Sequence, residues 1–280
     1  MERLRKYTAA VVQMDSRNDK WANLEAARRY AAEAAANDAK LVCFPETMNL
    51  CGRNVGKGGG RETIPGYTTE KLAKLARELR IFIHCGSLFE QLPGEERVAN
   101  TSILLDPEGN ILCRYRKLHT FDGVLADGTV CEESAKVIPG TEAVISETKL
   151  GVFGMSICYD VRFPELYRLM VARGAQVLFV PANFTALTGR DHWETLLRAR
   201  AIENFCYVVA ADQTGQKEQY LAHGNSMIVD PWGMVIAKAQ DQPGIIYGVI
   251  DLDYVDKARS MIPALKNRRT DVYDVICRKG

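Results

Sequence analysis

A cysteine closes an apolar run in this chain: Val152, Phe153, Met155 and Ile157 lead to Cys158, and Tyr159-Asp160-Val161-Arg162-Phe163-Pro164-Glu165 follows. Proline suits a first helical position and an acid suits the positive end of a helix, so a helix is predicted from Pro164. A thiol at a strand-to-helix turn stands at a sheet rim, beside backbone N–H groups and open to a ligand. That is a good place for a nucleophile. Taken alone, a free cysteine is more often a buried structural residue, and the chain has 8 cysteines. Two other segments shift that balance.

Glu46 ends the run Leu41-Val42-Cys43-Phe44-Pro45-Glu46. A half-desolvated carboxylate at the end of a buried-type strand is suited to act as a base near neutral pH. Lys117 lies in Cys113-Arg114-Tyr115-Arg116-Lys117-Leu118-His119, after what reads as a hairpin strand. A cation there can stabilise an oxyanion or favour a thiolate at Cys158. A further acid stands in Cys131-Glu132-Glu133-Ser134, where the residues alone do not separate Glu132 from Glu133.

The elements that must position these residues read as two halves with one plan. Tyr7–Met14 matches Leu150–Ile157, Leu41–Glu46 matches Val177–Ala182, and Ile81–Gly86 matches Cys206–Ala211. Ser102–Gly109 matches Ser226–Gly233, and each of these ends in an Asp-Pro-x-Gly turn, strong hairpin chemistry. Ala182 takes the place of Glu46 in the second half, so the architecture does not itself demand the acid. Helical spacing recurs at Leu24, Ala27, Ala31 and Ala34, at Leu72, Leu75, Ala76 and Leu79, and at Trp193, Leu196, Leu197 and Ala201. Asp191 with Glu194 reads as a capping pair opening the last of these helices, and Gly174 as the stop of the helix begun at Pro164. Each half thus reads strand, helix, strand, helix, strand, hairpin. Short all-apolar strands fit sheets covered by helices. The predicted fold class is α/β, a four-layer α-β-β-α sandwich, with residues 1–280 expected as one domain.

Bulk properties bound the function. The 280 residues are 47% hydrophobic and 25% charged, with a formal net charge of +1, which points to neither a nucleic-acid nor a membrane partner. No signal-peptide core or membrane span is expected. The cysteines are scattered without a C-x-x-C pair, so reduced thiols and a cytoplasmic location are expected. The 4 histidines form no zinc-type spacing, and no metal is expected. Gly56-Lys57 in the glycine-rich run 52–60 is not a phosphate loop, since no Ser or Thr follows the lysine; an active-site flap is the better reading. A Cys–His pair using His119, His192 or His223 has no local sequence support. Arg198 and Arg200 read as a salt-bridged helix face, with Glu194 four residues before Arg198.

Together, Phe44-Pro45-Glu46, Arg116-Lys117-Leu118-His119 and Ser156-Ile157-Cys158-Tyr159-Asp160 resemble the Glu-Lys-Cys triad segments of the nitrilase, or carbon–nitrogen hydrolase, superfamily. The family's E-S-x4-P-G stretch matches at Glu133-Ser134 through Pro139-Gly140, which places its second glutamate at Glu133. The resemblance runs over nearly the whole chain, and Asn183-Phe184-Thr185-Ala186-Leu187-Thr188-Gly189-Arg190-Asp191-His192-Trp193-Glu194 looks closest to the omega-amidase and deaminated glutathione amidase branch. The glycine-rich run departs from that branch and bears on substrate choice.

The resemblance implies an amidase without a cofactor, hydrolysing a small carboxylate-bearing amide through a cysteine thioester. Glu46 is the expected base, Cys158 the nucleophile, Lys117 and the Tyr159 N–H the oxyanion donors, and Glu133 a support for Lys117 or the substrate amide. Arg190 or Arg162 is expected to meet the substrate carboxylate, although Arg162 could equally pair with Glu165. Asn183 and Thr188 are candidate substrate contacts, and a homodimer is expected. Nitrile or N-carbamoyl hydrolysis shares the triad, and a non-catalytic scaffold of the same fold is the alternative from another class.

Overall fold

A computed structural model of the protein describes residues 3–52, 60–124, 128 and 130–276. Most of the glycine-rich run and Cys277 lie outside the described residues. The first half lays down β1 (Lys6–Gln13), α1 (Lys20–Ala36), β2 (Leu41–Cys43), α2 (Tyr67–Leu79), β3 (Phe82–His84), β4 (Leu88–Gln91), β5 (Val98–Leu105) and β6 (Ile111–Arg116). A small hairpin, β7 (Asp122–Val124) with β8 (Val130–Glu132), comes next. The second half is β9 (Ile145–Thr148), β10 (Gly151–Met155), α3 (Pro164–Ala172), β11 (Val177–Phe179), α4 (Ala186–Asn204), β12 (Tyr207–Ala210), β13 (Thr214–Gln216), β14 (Leu221–His223), β15 (Met227–Val229) and β16 (Val235–Lys238). The chain then returns through β17 (Gly244–Asp251) and α5 (Leu252–Met261).

Side-chain alternation along the strands makes the layers. In β1, Ala9 and Val11 enter a central core while Ala10 and Val12 face the other way, onto Ala27, Ala31 and Ala34 of α1. In β11, Val177 and Phe179 enter the central core while Leu178 joins Met170 of α3 and Trp193 and Leu197 of α4. Two sheets therefore meet face to face with a helix layer outside each, the predicted four-layer sandwich. Among the described residues no helix is long and apolar enough to cross a membrane.

The sheets repeat each other. One runs β17-β1-β2-β3-β5-β4 with β6 also on β5, and the other runs β9-β10-β11-β12-β15-β16. Strand β17 stands beside β1 as β9 stands beside β10, so the end of the chain completes the sheet begun by its start. The repeated plan holds, with β4, β9, β17 and the hairpin of β13 and β14 added to it.

Register corrects one match. Ala9 lies opposite Leu41, and Phe153 lies opposite Val177. With Leu41 equivalent to Val177, Ala9 is equivalent to Phe153, one residue later than the sequence match places it. A one-residue slip exchanges the faces of a strand, and Ala9 and Phe153 do share the central core.

Helix α4 is a second correction. It starts at Ala186, after Thr185 and not at Asp191, and the Gly189 N–H donates to the Thr185 carbonyl at 2.8 Å. Asp191 and His192 are therefore interior helix residues. Gly189 is a site of close approach, since a Cβ there would stand 2.3 Å from the His223 ring. Helix α3 does begin at Pro164, and Gly174 follows it with φ +105°.

The two Asp-Pro-x-Gly turns are built alike. Asp106 Oδ1 accepts from the N–H groups of Glu108 and Asn110, and Asp230 Oδ1 accepts from those of Trp232 and Met234. Gly109 has φ +78°, and a Cβ on it would lie 2.6 Å from the Ala73 carbonyl oxygen of α2. Gly94 has φ +75° with nothing within 4 Å of such a Cβ. Gly94→Ala should therefore cost only the left-handed backbone, about 1–2 kcal/mol. Gly109→Ala adds a collision and should cost about 3 kcal/mol or more. Urea unfolding of both variants checks this, and equal losses would show that the approach of the turn to α2 is no constraint.

Candidate active site

Cys158 stands where β10 gives way to a single 3-10 turn, Cys158–Arg162, that leads into α3. Its φ is +49°, a left-handed conformation unusual for a residue with a side chain, and its N–H donates to the Pro181 carbonyl at 2.9 Å. The thiol is half-buried. Among the described residues no backbone carbonyl takes the neighbouring Tyr159 N–H.

Glu46 reaches the same place from the other sheet. It lies just past β2, in a segment pinned by Gly86, whose Cβ would fall 1.9 Å from the Pro45 carbonyl oxygen. Only 5% of Glu46 is exposed. Its Oε1 accepts from Asn100 Nδ2 at 2.7 Å and from Lys117 Nζ at 3.3 Å, and its Oε2 accepts from the Asn183 N–H at 2.8 Å. Its own N–H donates to the carbonyl of Ala182, its counterpart in the second half, at 3.3 Å.

Lys117 follows β6 and is 2% exposed. Its Nζ donates to Glu133 Oε1 at 3.0 Å and to Glu133 Oε2 at 2.8 Å, besides Glu46. Its backbone is fixed on both sides, with its N–H on the Asn100 carbonyl at 2.9 Å and its carbonyl taking the Gly140 N–H at 2.8 Å. The stretch from Glu133 to Gly140 thus grips Lys117 at the side chain and at the backbone. This separates the two adjacent acids: Glu132 is exposed on β8, while Glu133 also accepts from the Phe121 N–H at 2.6 Å.

The electrostatics follow from burial. Desolvation works against the Lys117 ammonium, but the Glu46 and Glu133 carboxylates outweigh it and hold its pKa well above the usual lysine range. Burial, reinforced by Glu46, pushes the Cys158 thiol well above the usual cysteine range. Lys117 and the Asn183 N–H oppose that shift without reversing it. Lys117 therefore pulls the thiol toward the thiolate, as expected of a cation there, while burial and Glu46 pull the other way and prevail.

The remaining candidates are dispersed. Arg162 sits over the rings of Tyr159 and Phe184, 5.9 and 5.3 Å from their centroids, and its Nη1 is 3.2 Å from His192 Nδ1. It therefore faces His192 rather than Glu165. Arg190 is exposed and lines a separate cavity of about 410 Å³ with His223, Lys238 and Asp241. The structure does not bring it to Glu46, Lys117 or Cys158. Thr188 bonds the Thr185 hydroxyl at 3.0 Å in the first turn of α4. Asn183 contributes its backbone N–H to Glu46, while its side chain donates to Cys51 Sγ at 3.4 Å. Arg200 is buried, bonding Glu203 at 2.8 Å and the Val161 carbonyl at 2.9 Å.

Two participants were absent from the sequence reading. Asn100 orients Glu46, and its signal was a polar run, Asn100-Thr101-Ser102, inside a strand buried throughout. Asp212 is buried with Oδ1 on the Phe184 N–H at 2.9 Å, and burial pushes its carboxyl well above the usual range. Nothing in its local sequence marks it.

Known proteins share this arrangement of chain. The carbon-nitrogen hydrolase family profile matches residues 8–260. A deaminated glutathione amidase from Synechocystis sp. is 42% identical over 269 residues, covering 95% of this chain and 99% of that protein. The omega-amidase of Homo sapiens is 36% identical over 274 residues, covering 98% and 99%. The crystal structure of Saccharomyces cerevisiae Nit3, a member of branch 10 of the nitrilase superfamily, superposes with a TM-score of 0.86 at 33% identity, covering 95% of this chain and 97% of that one. With a family match from residue 8 to residue 260 and relatives covered almost end to end, the chain belongs to the carbon–nitrogen hydrolase family.

Proposed function

We propose that this protein is an amidase that hydrolyses a small carboxylate-bearing amide, of the 2-oxoglutaramate or deaminated glutathione type, through a thioester on Cys158. The observation that carries this reading is the Lys117 ammonium fixed between Glu46 and Glu133, beside the Cys158 thiol. Glu46 takes the Cys158 proton as sulfur attacks the amide carbonyl carbon. The carbonyl oxygen becomes an oxyanion facing Lys117 Nζ and the Tyr159 N–H. Glu46 passes the proton to the leaving nitrogen, the C–N bond breaks and ammonia departs. Glu46 then takes a proton from water as its oxygen attacks the thioester. The C–S bond breaks, and the thiol is reprotonated as the acid leaves. Glu133 supports Lys117 throughout.

Substrate class rests on the two named relatives and on a cation near the nucleophile turn. Arg162 is the better partner for a substrate carboxylate, because it shares that turn with Cys158, whereas Arg190 lines the separate cavity. Ammonia release from a panel of ω-amides, nitriles and N-carbamoyl compounds tests the reading. Turnover confined to nitriles or N-carbamoyl compounds would overturn the substrate class, and silence throughout would favour the scaffold. We also propose a reduced, cytoplasmic homodimer, supported by the free, buried thiols of Cys43, Cys85 and Cys206 and by exposed apolar residues such as Met234 and Ile236. Sedimentation showing only monomer at micromolar concentration would remove the dimer.

Cys158→Ala should abolish ammonia release with the fold intact, and retained turnover would end the thioester mechanism. Glu46→Gln should lower kcat by about 10²–10⁴-fold. Lys117→Ala should lower kcat by about 10²–10³-fold, and urea unfolding should show a loss of about 3 kcal/mol, because buried Glu46 and half-buried Glu133 lose their cation. A raised thiol pKa leaves the proton on sulfur at every pH below it. Difference absorbance at 240 nm between wild type and Cys158→Ala should therefore show no thiolate at neutral pH. A thiolate signal at pH 7 would replace base-assisted attack with a preformed ion pair.

A further inference from the structure

Asp160 is fully buried two residues after Cys158, and the proposed chemistry does not use it. Its carboxylate accepts four hydrogen bonds. Oδ2 takes the Ile157 N–H at 2.9 Å and the Tyr115 hydroxyl at 2.7 Å. Oδ1 takes the His119 N–H at 3.1 Å and lies 2.7 Å from His119 Nδ1. Ile157 immediately precedes the nucleophile. Tyr115 and His119 flank Lys117 two residues to either side, and the Tyr115 oxygen also takes the Leu118 N–H at 3.3 Å.

These bonds join two different sheets. Tyr115 belongs to β6, which pairs within the sheet of the chain's first half, while Ile157 continues β10 of the other sheet. The His119 ring is fixed in turn by stacking on Phe163, at 3.6 Å between centroids and 6° between planes. One side chain therefore ties the segment carrying the cation to the segment carrying the thiol. The Asp160 N–H on the Ile157 carbonyl, at 3.1 Å, closes the turn around Cys158. A left-handed backbone at a non-glycine residue persists only where its surroundings over-determine it, and Asp160 holds the residue just before it.

We propose that Asp160 is a positioning residue that sets Cys158 Sγ against Lys117 Nζ, so that sulfur attack and oxyanion stabilisation occur at one carbonyl. This rests on the roles proposed above for Cys158 and Lys117. An amide in place of the carboxylate keeps the shape but cannot accept at both positions. Misplacing a reacting group by about an ångström costs on the order of 10²-fold in rate.

The test is a double-mutant cycle of Asp160→Asn with Lys117→Ala, reading kcat and KM for ammonia release. Asp160→Asn alone should lower kcat about 100-fold with KM changed less than about threefold. In the Lys117→Ala background the same change should cost less than about fivefold, since residues acting as a unit are not additive. A full additive loss, or a wild-type kcat in Asp160→Asn, would overturn the proposal. Tyr115→Phe removes a single donor and keeps the test open if Asp160→Asn does not fold. It should lower kcat by about tenfold, the weight of one hydrogen bond to a charged group, and lose that effect when Lys117 is absent; an additive effect would again overturn the proposal. A wild-type kcat in Lys117→Ala would sink the reading of the site itself, and this inference with it, an outcome distinct from an impaired Lys117→Ala with an unaffected Asp160→Asn.

Discussion

An ammonium taken out of water is the constraint on which the site depends. Desolvation of one charge costs several kcal/mol in a protein interior, and Lys117 meets that cost by lying between two carboxylates supplied by separate segments. Its folded pKa is raised above the unfolded value of about 10.4. While both carboxylates stay ionised, the Lys117 contribution to stability is therefore complete below that value and is lost as pH rises through the folded pKa. Neutral pH lies well inside the stable window. The same demand explains the rigidity around Glu46: Asn100, Asn183 and Lys117 all donate to it, so the carboxylate has little freedom to turn away.

Much of this was readable in the residues, because the informative signals were local. Pro164 and Glu165 mark the start of a helix by their own chemistry, and the Asp-Pro-x-Gly turns mark hairpins. The start of α4 was misread because Asp191 and Glu194 imitate a cap, whereas the helix begins at Ala186 and Thr185 before it makes no side-chain cap bond. Strand β17 was missed because its pairing with β1 joins opposite ends of the chain. The choice of Glu133 over Glu132 needed either family likeness or the three-dimensional contact with Lys117. Asp160 and Asp212 bond partners distant along the chain, Tyr115 and His119 for the first and Phe184 for the second, and such pairings leave no local signal.

The repeat explains why there is one site and not two. Cys113 lies opposite Leu104, and Ala237 lies opposite Ile228. Counting on from these equivalent residues, Lys117 corresponds to Asp241. By the same registers Cys158 corresponds to Met14 and Glu46 to Ala182. Where one half contributes a thiol, the other has a buried thioether; where one has a base, the other has a methyl group. The near-twofold scaffold supplies two rims facing each other, and the chemistry occupies one of the two possible combinations.

The pairing of β17 with β1 also governs how the chain matures as it is made. Strand β1 is synthesised well before its antiparallel neighbour β17. Until β17 emerges, one edge of the first sheet carries unpaired N–H and C=O groups beside the apolar run Ala9–Val12, a surface prone to sticking to other strands. Contacts this distant along the chain also slow folding. The second sheet has no such delay, since β9 and β10 are consecutive. Vectorial synthesis therefore completes the sheet bearing Glu46 and Lys117 only after β17 has emerged.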